Sequence, residues 1–299
     1  MDSYSATIVA TGAVVAGACG FVGNFLVLRR MALLGDAISH SVLLGVVLAF
    51  LITGDRGIGP MFAGAAVFGL LTAVMVQALG RGGVAEDAAV GVTFTAFFAL
   101  GVVLLTLYAG RVHLDLEHVL YGEIAYVPWD TIEVGGISLG PRALWTMGAV
   151  FLLNLAAVGL FYKEFKICSF DPEMAAALGI PVAFFHYVLM ALVSLTTVAA
   201  FESVGAVLAV AMLIAPGATA YLLTHRLGWM LGLSVVCGAA SAVLGYGMAA
   251  WLDVSISGAM AAAAGLLFAL ALLFSPSQGV VVKRLRRRRV GLRKEDVLQ

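Results

Sequence analysis

Two ionisable side chains, Asp36 and His40, lie within an otherwise apolar stretch near the N-terminus. If this stretch is helical, the four-residue spacing places both side chains on one face of the helix. A carboxylate and an imidazole are suitable ligands for a divalent transition metal such as manganese, iron or zinc. The same residues could instead form an interhelical hydrogen bond, or the aspartate could stay hydrated near a membrane surface. The spacing indicates a metal site and leaves the structural interpretation open.

A third candidate metal ligand, Glu202, lies between two later apolar segments. Pro216-Gly217 interrupts the second of these segments, and broken helices in membranes expose backbone carbonyls that line cavities. We therefore expect a broken helix and a cavity in this region. The alternative for Glu202 is a position at the outer membrane interface.

The remaining ionisable groups in and beside the apolar segments favour structural roles. Glu86 and Asp87 precede a segment, where the helix dipole favours carboxylates. His186 is expected to pack or to form a hydrogen bond, with a supporting role beside a metal ligand as the alternative. An outer loop contains four ionisable residues, His113, Asp115, Glu117 and His118. They could pass a cation inward or dock a partner, although a solvated loop helix is favoured.

Two signatures of hydrolytic chemistry are absent from the sequence. None of the four lysines follows a glycine, so the chain has no phosphate-binding P-loop for ATP hydrolysis. The His-Glu-x-x-His pattern of zinc proteases is also absent. We therefore expect that the chain is not itself an enzyme and that it holds no cofactor.

A short, separate helix is predicted to begin after Asp171, between two apolar segments. Asp171 suits the N-cap position, Pro172 the first helical position, and Glu173 the positive end of the helix dipole. Met174 to Leu178 continue the helix, and Gly179 is expected to end it. Such a helix is too short to span a membrane, so we expect it to lie on the cytoplasmic face.

The composition shows which kind of molecule must position these residues. Of 299 residues, 62% are hydrophobic and 11% are charged, and the mean hydropathy is +1.06. A soluble domain has about 25% charged residues. These values exclude a disordered chain, a disulfide scaffold and an ordinary cytosolic enzyme. The formal net charge is zero, and nothing indicates nucleic-acid binding. We predict an all-α, polytopic membrane protein.

The apolar segments predict eight or nine transmembrane helices. About 20 mostly apolar residues cross about 30 Å of hydrocarbon, and the segments lack the alternation of membrane strands. On the nine-span interpretation the spans are 6–28, 34–53, 58–80, 88–109, 143–162, 182–201, 204–223, 228–252 and 256–274.

The basic residues predict the orientation of the chain. If the N-terminus is outside, only three of the 17 Lys and Arg residues lie on the outer side, namely Arg56, Arg111 and Arg142. Cytoplasmic loops carry the excess of basic residues, so we expect the C-terminus to be cytoplasmic. We divide the chain into a transmembrane domain, residues 1–275, and a basic tail, residues 276–299. The tail is expected to fix the topology and could bind anionic lipids.

Three stretches of the sequence match a known family. Residues 29–43, RRMALLGDAISHSVL, resemble the signature of membrane permease subunits of bacterial ATP-binding-cassette metal-ion importers, the manganese/zinc/iron class. Residues 165–181 and 202–223 also resemble this family. The likeness extends over nearly the whole chain to about residue 275. One departure is Leu44, where many members of the family have proline.

The resemblance implies a function and a set of partners. It implies a permease dimer, of identical or related chains, in the bacterial plasma (inner) membrane, with two ATPase subunits on the cytoplasmic side and an external binding protein that delivers the metal. It implies that Asp36 and His40 face the metal path, and that the helix after Asp171 couples to the ATPase. The carried ion is expected to be manganese first, with zinc or iron as alternatives. A proton-coupled secondary carrier for divalent cations is the competing interpretation.

Overall fold

The computed structural model describes residues 3–54, 58–108, 124–134, 137–275 and 279. Within these ranges, nine helices are long and apolar enough to cross a membrane, which confirms the all-α, polytopic prediction. The nine are α1 (Ser3–Leu28), α2 (Ala32–Thr53), α3 (Ile58–Arg81), α4 (Glu86–Tyr108), α5 (Arg142–Leu160), α8 (Val182–Val204), α9 (Ala206–Leu223), α10 (Leu227–Leu252) and α11 (Ile256–Phe274).

The connection between α5 and α8 contains two short helices, α6 (Tyr162–Phe170) and α7 (Pro172–Ala177). The capping residues predict α7, whereas α6 forms from residues that the apolar pattern assigns to the end of a span and a loop. Between α4 and α5, a 3-10 turn at Ile124–Tyr126 precedes two short strands. Strands β1 (Thr131–Val134) and β2 (Ile137–Pro141) pair in antiparallel fashion.

The spanning helices pack as two groups that are joined by α8. In one group α2 packs against α3 and α4; in the other, α1 packs against α9 and α10, and α11 packs against the same two helices. Helix α8 contacts α1, α2, α3, α5 and α9. The two groups are therefore held together by a helix whose residues are buried along most of its length.

Small residues allow the closest helix crossings. A Cβ atom at Gly23 of α1 would overlap the backbone carbonyl of Leu213 in α9, and one at Gly45 of α2 would overlap the carbonyl of Gly64 in α3. Lipid chains are as apolar as leucine, so helices in membranes associate mainly through such close packing and through interhelical hydrogen bonds.

Buried polar side chains supply those hydrogen bonds. Asn24 Nδ2 in α1 donates to Ser234 Oγ in α10 at 2.6 Å, and Asn154 Nδ2 in α5 donates to Thr196 Oγ1 in α8 at 2.8 Å. Each bond joins helices that are distant in the sequence, and so fixes their rotation as well as their separation.

The expectation of a broken helix at Pro216-Gly217 is wrong. Helix α9 continues through Pro216 from Ala206 to Leu223. A proline removes one helical hydrogen bond and crowds the carbonyl four residues earlier, but in membrane helices neighbouring helices and small local adjustments allow the helix to continue. Pro216 lies against Gly20 of α1, where an added Cβ would be 3.1 Å from the Pro216 Cβ.

Several predictions fall outside the described residues. These are the outer-loop cluster of His113, Asp115, Glu117 and His118, the basic residues Arg56 and Arg111, and nearly all of the tail 276–299.

Candidate metal-path site

Asp36 and His40 lie together on α2. Asp36 Oδ1 is 3.6 Å from His40 Nε2, and the two side chains are 44% and 43% exposed. In the described ranges neither side chain forms a hydrogen bond to another helix, so the interhelical interpretation receives no support there. The pair presents one carboxylate and one imidazole on the same helix face, both accessible from outside the chain.

The opposite face of α2 explains why these two residues are exposed. Ile38 and Ser41 are buried against α3, where Thr72 Oγ1 donates to Ser41 Oγ at 2.7 Å. Because this buried face fixes the rotation of α2, Asp36 and His40 must point away from the α3 contact.

Two aromatic rings of α4 position the His40 imidazole. The ring centroid of Phe94 lies 5.5 Å from that of His40, and the centroid of Phe98 lies at 5.8 Å. The contact with Phe98 is edge-to-face, an arrangement that aromatic rings favour. The imidazole therefore contacts two apolar rings of α4 and lies near the Asp36 carboxylate of its own helix.

The structure does not bring Glu202 to this pair. Ile38 of α2 and Ser194 of α8 both lie against Gly69 of α3, which sets the register of the two helices. Glu202 lies eight residues beyond Ser194 on α8, which is about 12 Å further along the axis at about 1.5 Å per residue. Its electrostatic neighbours are Arg142 and Asp130, near the start of α5.

One chain supplies an incomplete set of metal ligands. Among the described residues, no group of three or more His, Cys, Asp and Glu side chains is arranged to hold a metal ion. Asp36 and His40 provide two ligands, so an ion at this position would need water, a second chain or residues outside the described ranges to complete its coordination.

Helix α7 has the capping that its sequence predicts. Asp171 Oδ1 accepts a hydrogen bond from the Met174 backbone N–H at 2.9 Å, and Gly179 takes a left-handed conformation with φ of 79°. Glu173 is exposed and Met174 is 55% exposed, while Ala175 is buried. Helix α7 therefore presents a charged and apolar surface away from the bundle.

Arg29, just beyond the end of α1, joins three helices, a role that no local sequence pattern predicts. Its Nε donates to Ser169 Oγ of α6 at 3.3 Å, and its Nη1 lies 3.2 Å from His186 Nδ1 of α8. A guanidinium can only donate, so His186 Nδ1 is the acceptor and its proton is on Nε2. Ser169 and His186 lie 140 and 157 positions from Arg29 in the chain, so no local pattern could predict these contacts.

Burial opposes the charged forms of Arg29 and of Cys168 beside it. Burial lowers the pKa of Arg29, an effect that the neighbouring Cys168 opposes. Burial also raises the pKa of Cys168, an effect that Arg29 opposes and that Glu164 strengthens. This direction favours the neutral Cys168 thiol over its thiolate, so the reactive form of cysteine is disfavoured beside Arg29.

A Gly-x-Ser-x-Gly pattern occurs at residues 136–140, but its setting differs from that of a hydrolase. In the nucleophile elbow the serine lies on a sharp turn between a strand and a helix. Here Ser138 lies within β2, paired with Glu133 of β1, and α5 begins only at Arg142. The pattern therefore carries no argument for acyl-transfer chemistry.

Comparison with known proteins gives a consistent result. Residues 1–275 match the ABC 3 transport family. The chain is 59% identical over 284 residues to the manganese transport system membrane protein MntD of Bacillus subtilis (strain 168), covering 95% of this chain and 96% of that protein. It is 46% identical to the zinc transport system membrane protein TroD of Treponema pallidum (strain Nichols), covering 92% of this chain and 75% of that protein.

A solved structure agrees with these relatives. The chain superposes on PsaBC from Streptococcus pneumoniae, determined in complex with Fab, with a TM-score of 0.75 and 36% identity over 92% of this chain and 93% of that one. Sequence and fold therefore agree over nearly the whole length, and the chain is a member of the ABC 3 transport family.

Proposed function

We propose that this protein is the membrane permease subunit of an ATP-powered importer for divalent transition-metal ions. The observation that carries the proposal is the Asp36–His40 pair, a carboxylate and an imidazole 3.6 Å apart and half exposed within a spanning helix, both of types that ligate divalent metals. An ionisable residue inside a membrane segment is costly and normally marks a transport path. The family match supports the same function.

Manganese is the first choice of substrate, with zinc or iron as alternatives. The B. subtilis relative is named for manganese and the T. pallidum relative for zinc. Carboxylate oxygen and imidazole nitrogen accept all three ions, and affinity alone does not select among them. The greater identity to the manganese protein favours that ion.

The energy for transport comes from separate ATPase subunits, because the sequence contains no P-loop. Helix α7 is the surface on which such a subunit would bind, since it is capped at both ends and its Glu173 and Met174 side chains are exposed. An external metal-binding protein would deliver the ion. A second permease chain, identical or related, would complete the path and add ligands to the two that one chain provides.

The protein lies in the plasma membrane with its N-terminus outside and its C-terminus in the cytoplasm. The distribution of Lys and Arg supports this orientation. We assign residues 1–275 to the permease domain and residues 276–299 to a basic cytoplasmic tail, whose charge would fix the topology and could bind anionic lipids.

Metal uptake by cells that express the complete transporter tests the proposal. Asp36→Asn keeps the shape of the side chain but removes the charge that offsets the loss of hydration of the cation, so we expect uptake to be abolished or strongly reduced. Asp253→Asn is the matched control, because Asp253 lies outside the site in a left-handed conformation that asparagine tolerates. Normal uptake by the Asp36→Asn variant at matched expression would contradict the proposal.

A second experiment separates the importer from a secondary carrier. The chain is reconstituted alone in vesicles, and metal flux is measured under a proton gradient. We expect no flux without the ATPase subunits. Proton-driven flux by the chain alone would favour the carrier.

A further inference from the structure

A cavity of about 490 Å³ lies at the end of the bundle where α6 and the α9–α10 connection meet. Tyr162 begins α6 directly after α5, and Leu227 begins α10, so the cavity is at the level where spanning helices leave the membrane. Tyr162 and Gly228 line the cavity and lie close together. A Cβ atom placed on Gly228 would be 3.4 Å from the Tyr162 hydroxyl oxygen.

Two basic side chains from different elements line this cavity, Lys166 of α6 and Arg226 at the start of α10. Both are exposed, and in the described ranges no carboxylate lies within ion-pair distance of either. The cavity therefore has two positive charges that its own surroundings do not neutralise.

The N-terminus of α10 adds further donors at the same place. Arg226 is the N-cap residue and provides no side-chain cap, so the first backbone N–H groups of this 26-residue helix lack side-chain partners. Such a helix end favours phosphate and other anions. The donors of α10 and the two basic side chains thus favour the same class of ligand.

Large apolar side chains border the charged part of the cavity. Trp229 is 66% exposed and Phe170 is 54% exposed, and both line it. A tryptophan at the end of a spanning helix is typical of the membrane interface, where one end of the side chain is apolar and the other is hydrated. A purely hydrophilic ligand such as free phosphate would leave these two side chains without a partner.

We propose that this cavity binds the head group of an anionic phospholipid, with the phosphate between Lys166 and Arg226 and the glycerol and upper acyl chains against Trp229 and Phe170. Basic pockets between helices at the cytoplasmic side of a membrane bind such head groups. The protein's own basic tail is a poor occupant because its charge has the same sign. Since Phe170 immediately precedes Asp171, the lipid would lie beside α7 and support the position of the ATPase-binding surface.

The test is native mass spectrometry of the full chain in neutral detergent, titrated with phosphatidylglycerol and, separately, with phosphatidylcholine. We expect one tightly bound phosphatidylglycerol and no comparable phosphatidylcholine. Replacing both basic residues, Lys166→Gln with Arg226→Gln, should weaken phosphatidylglycerol binding by about tenfold or more. The charge-conserving pair Lys166→Arg with Arg226→Lys should retain binding and shows that the fold is intact.

The matched control is the double variant Lys163→Gln with Arg81→Gln. It removes the same amount of charge at the same end of the bundle, from two exposed residues that do not line the cavity. We expect this control to change binding by less than about twofold, since charge outside the cavity is screened by water and salt. Equal losses in the two double variants, or equal binding of phosphatidylcholine, would overturn the proposal. Displacement of the lipid by millimolar inorganic phosphate would also overturn it, in favour of a site for soluble anions. Because lipid binding is measured without metal or ATP, these outcomes are distinguishable from failure of the proposed transport function.

Discussion

Asp36 and His40 are half exposed on a helix whose other face is buried, and this contrast is the basis of the proposed metal path. The buried face of α2 rests on α3 through Ser41 and Thr72. Within the described residues the Asp36 carboxylate has no hydrogen bond to α3, so Asp36→Asn removes a charge without disturbing the α2–α3 packing. His40 also packs against Phe94 and Phe98 of α4.

Asp36 and His40 are predicted to act as one unit. His40→Ala should reduce metal uptake as strongly as Asp36→Asn, and the double variant should be little worse than either single variant, because ligands of one ion are not additive. Uptake by the single and double variants at matched expression checks the prediction. Additive losses would show that the two residues act at separate sites.

Arg29 is predicted to be a stability determinant. Arg29→Gln removes the charged donor from Ser169 and His186, and hydrogen bonds to charged groups contribute about 1.5–3 kcal/mol each. We expect a clear fall in the melting temperature of the purified protein in detergent. The control is Arg30→Gln, which removes the same charge from the adjacent, exposed position. A melting temperature equal to that of the control would show that the buried contacts contribute nothing.

Among the elements, α7 is capped independently of the bundle and is joined to it by few contacts. The Asp171 cap and the left-handed Gly179 define both ends, and buried Ala175 is its attachment to the protein. Its geometry is therefore local, and its exposed residues can be changed without disturbing the spanning helices.

Substitution on α7 is predicted to uncouple ATP hydrolysis from transport. The variant Glu173→Lys with Met174→Arg should leave the permease folded but strongly reduce metal uptake, because both residues lie on the exposed surface proposed to bind the ATPase. Co-purification of the ATPase subunit, ATP hydrolysis by the complex and metal uptake are measured together. Lys163→Glu, a charge reversal on exposed α6, is the control. Undiminished uptake by the α7 variant would remove this helix from the coupling surface.

At the scale of the whole molecule, the two ends of α10 can be used to test how the chain is oriented in the membrane. Leu227, at one end, lies beside α6 in the described cavity, whereas Asp253 follows the last residue of this 26-residue helix at the other end. Lys163 of α6 and Asp253 therefore lie on opposite sides of the membrane.

Single cysteines at these positions should report the two sides. In a chain without its three native cysteines, Asp253→Cys should react with a membrane-impermeant maleimide in intact cells, and Lys163→Cys should react only after permeabilisation, because we place Asp253 outside. Mass shift or fluorescence of the labelled protein gives the result. The reverse pattern would invert the proposed topology.

The amino-acid sequence determined the features that depend on neighbours along the chain. Span positions follow from runs of about 20 apolar residues, and every spanning helix overlaps its predicted range. The ends of α7 follow from Asp171, Pro172 and Gly179, whose capping is a local property. The pairing of Asp36 with His40 is local too, since a helix brings residues four apart together.

Only the tertiary structure decided the features that depend on contacts between distant segments. The partners of Arg29 lie on α6 and α8, and the distance of Glu202 from Asp36 follows from the register of α8 against α2 through Gly69. The continuity of α9 through Pro216, and the close packing of Pro216 against Gly20 of α1, are likewise seen only in the folded bundle. Hydrophobicity in a membrane shows that a segment crosses the lipid, but lipid chains do not distinguish one helix face from another. Which faces meet is determined by small residues and buried polar groups on separate helices, and that pairing is set only when the helices pack.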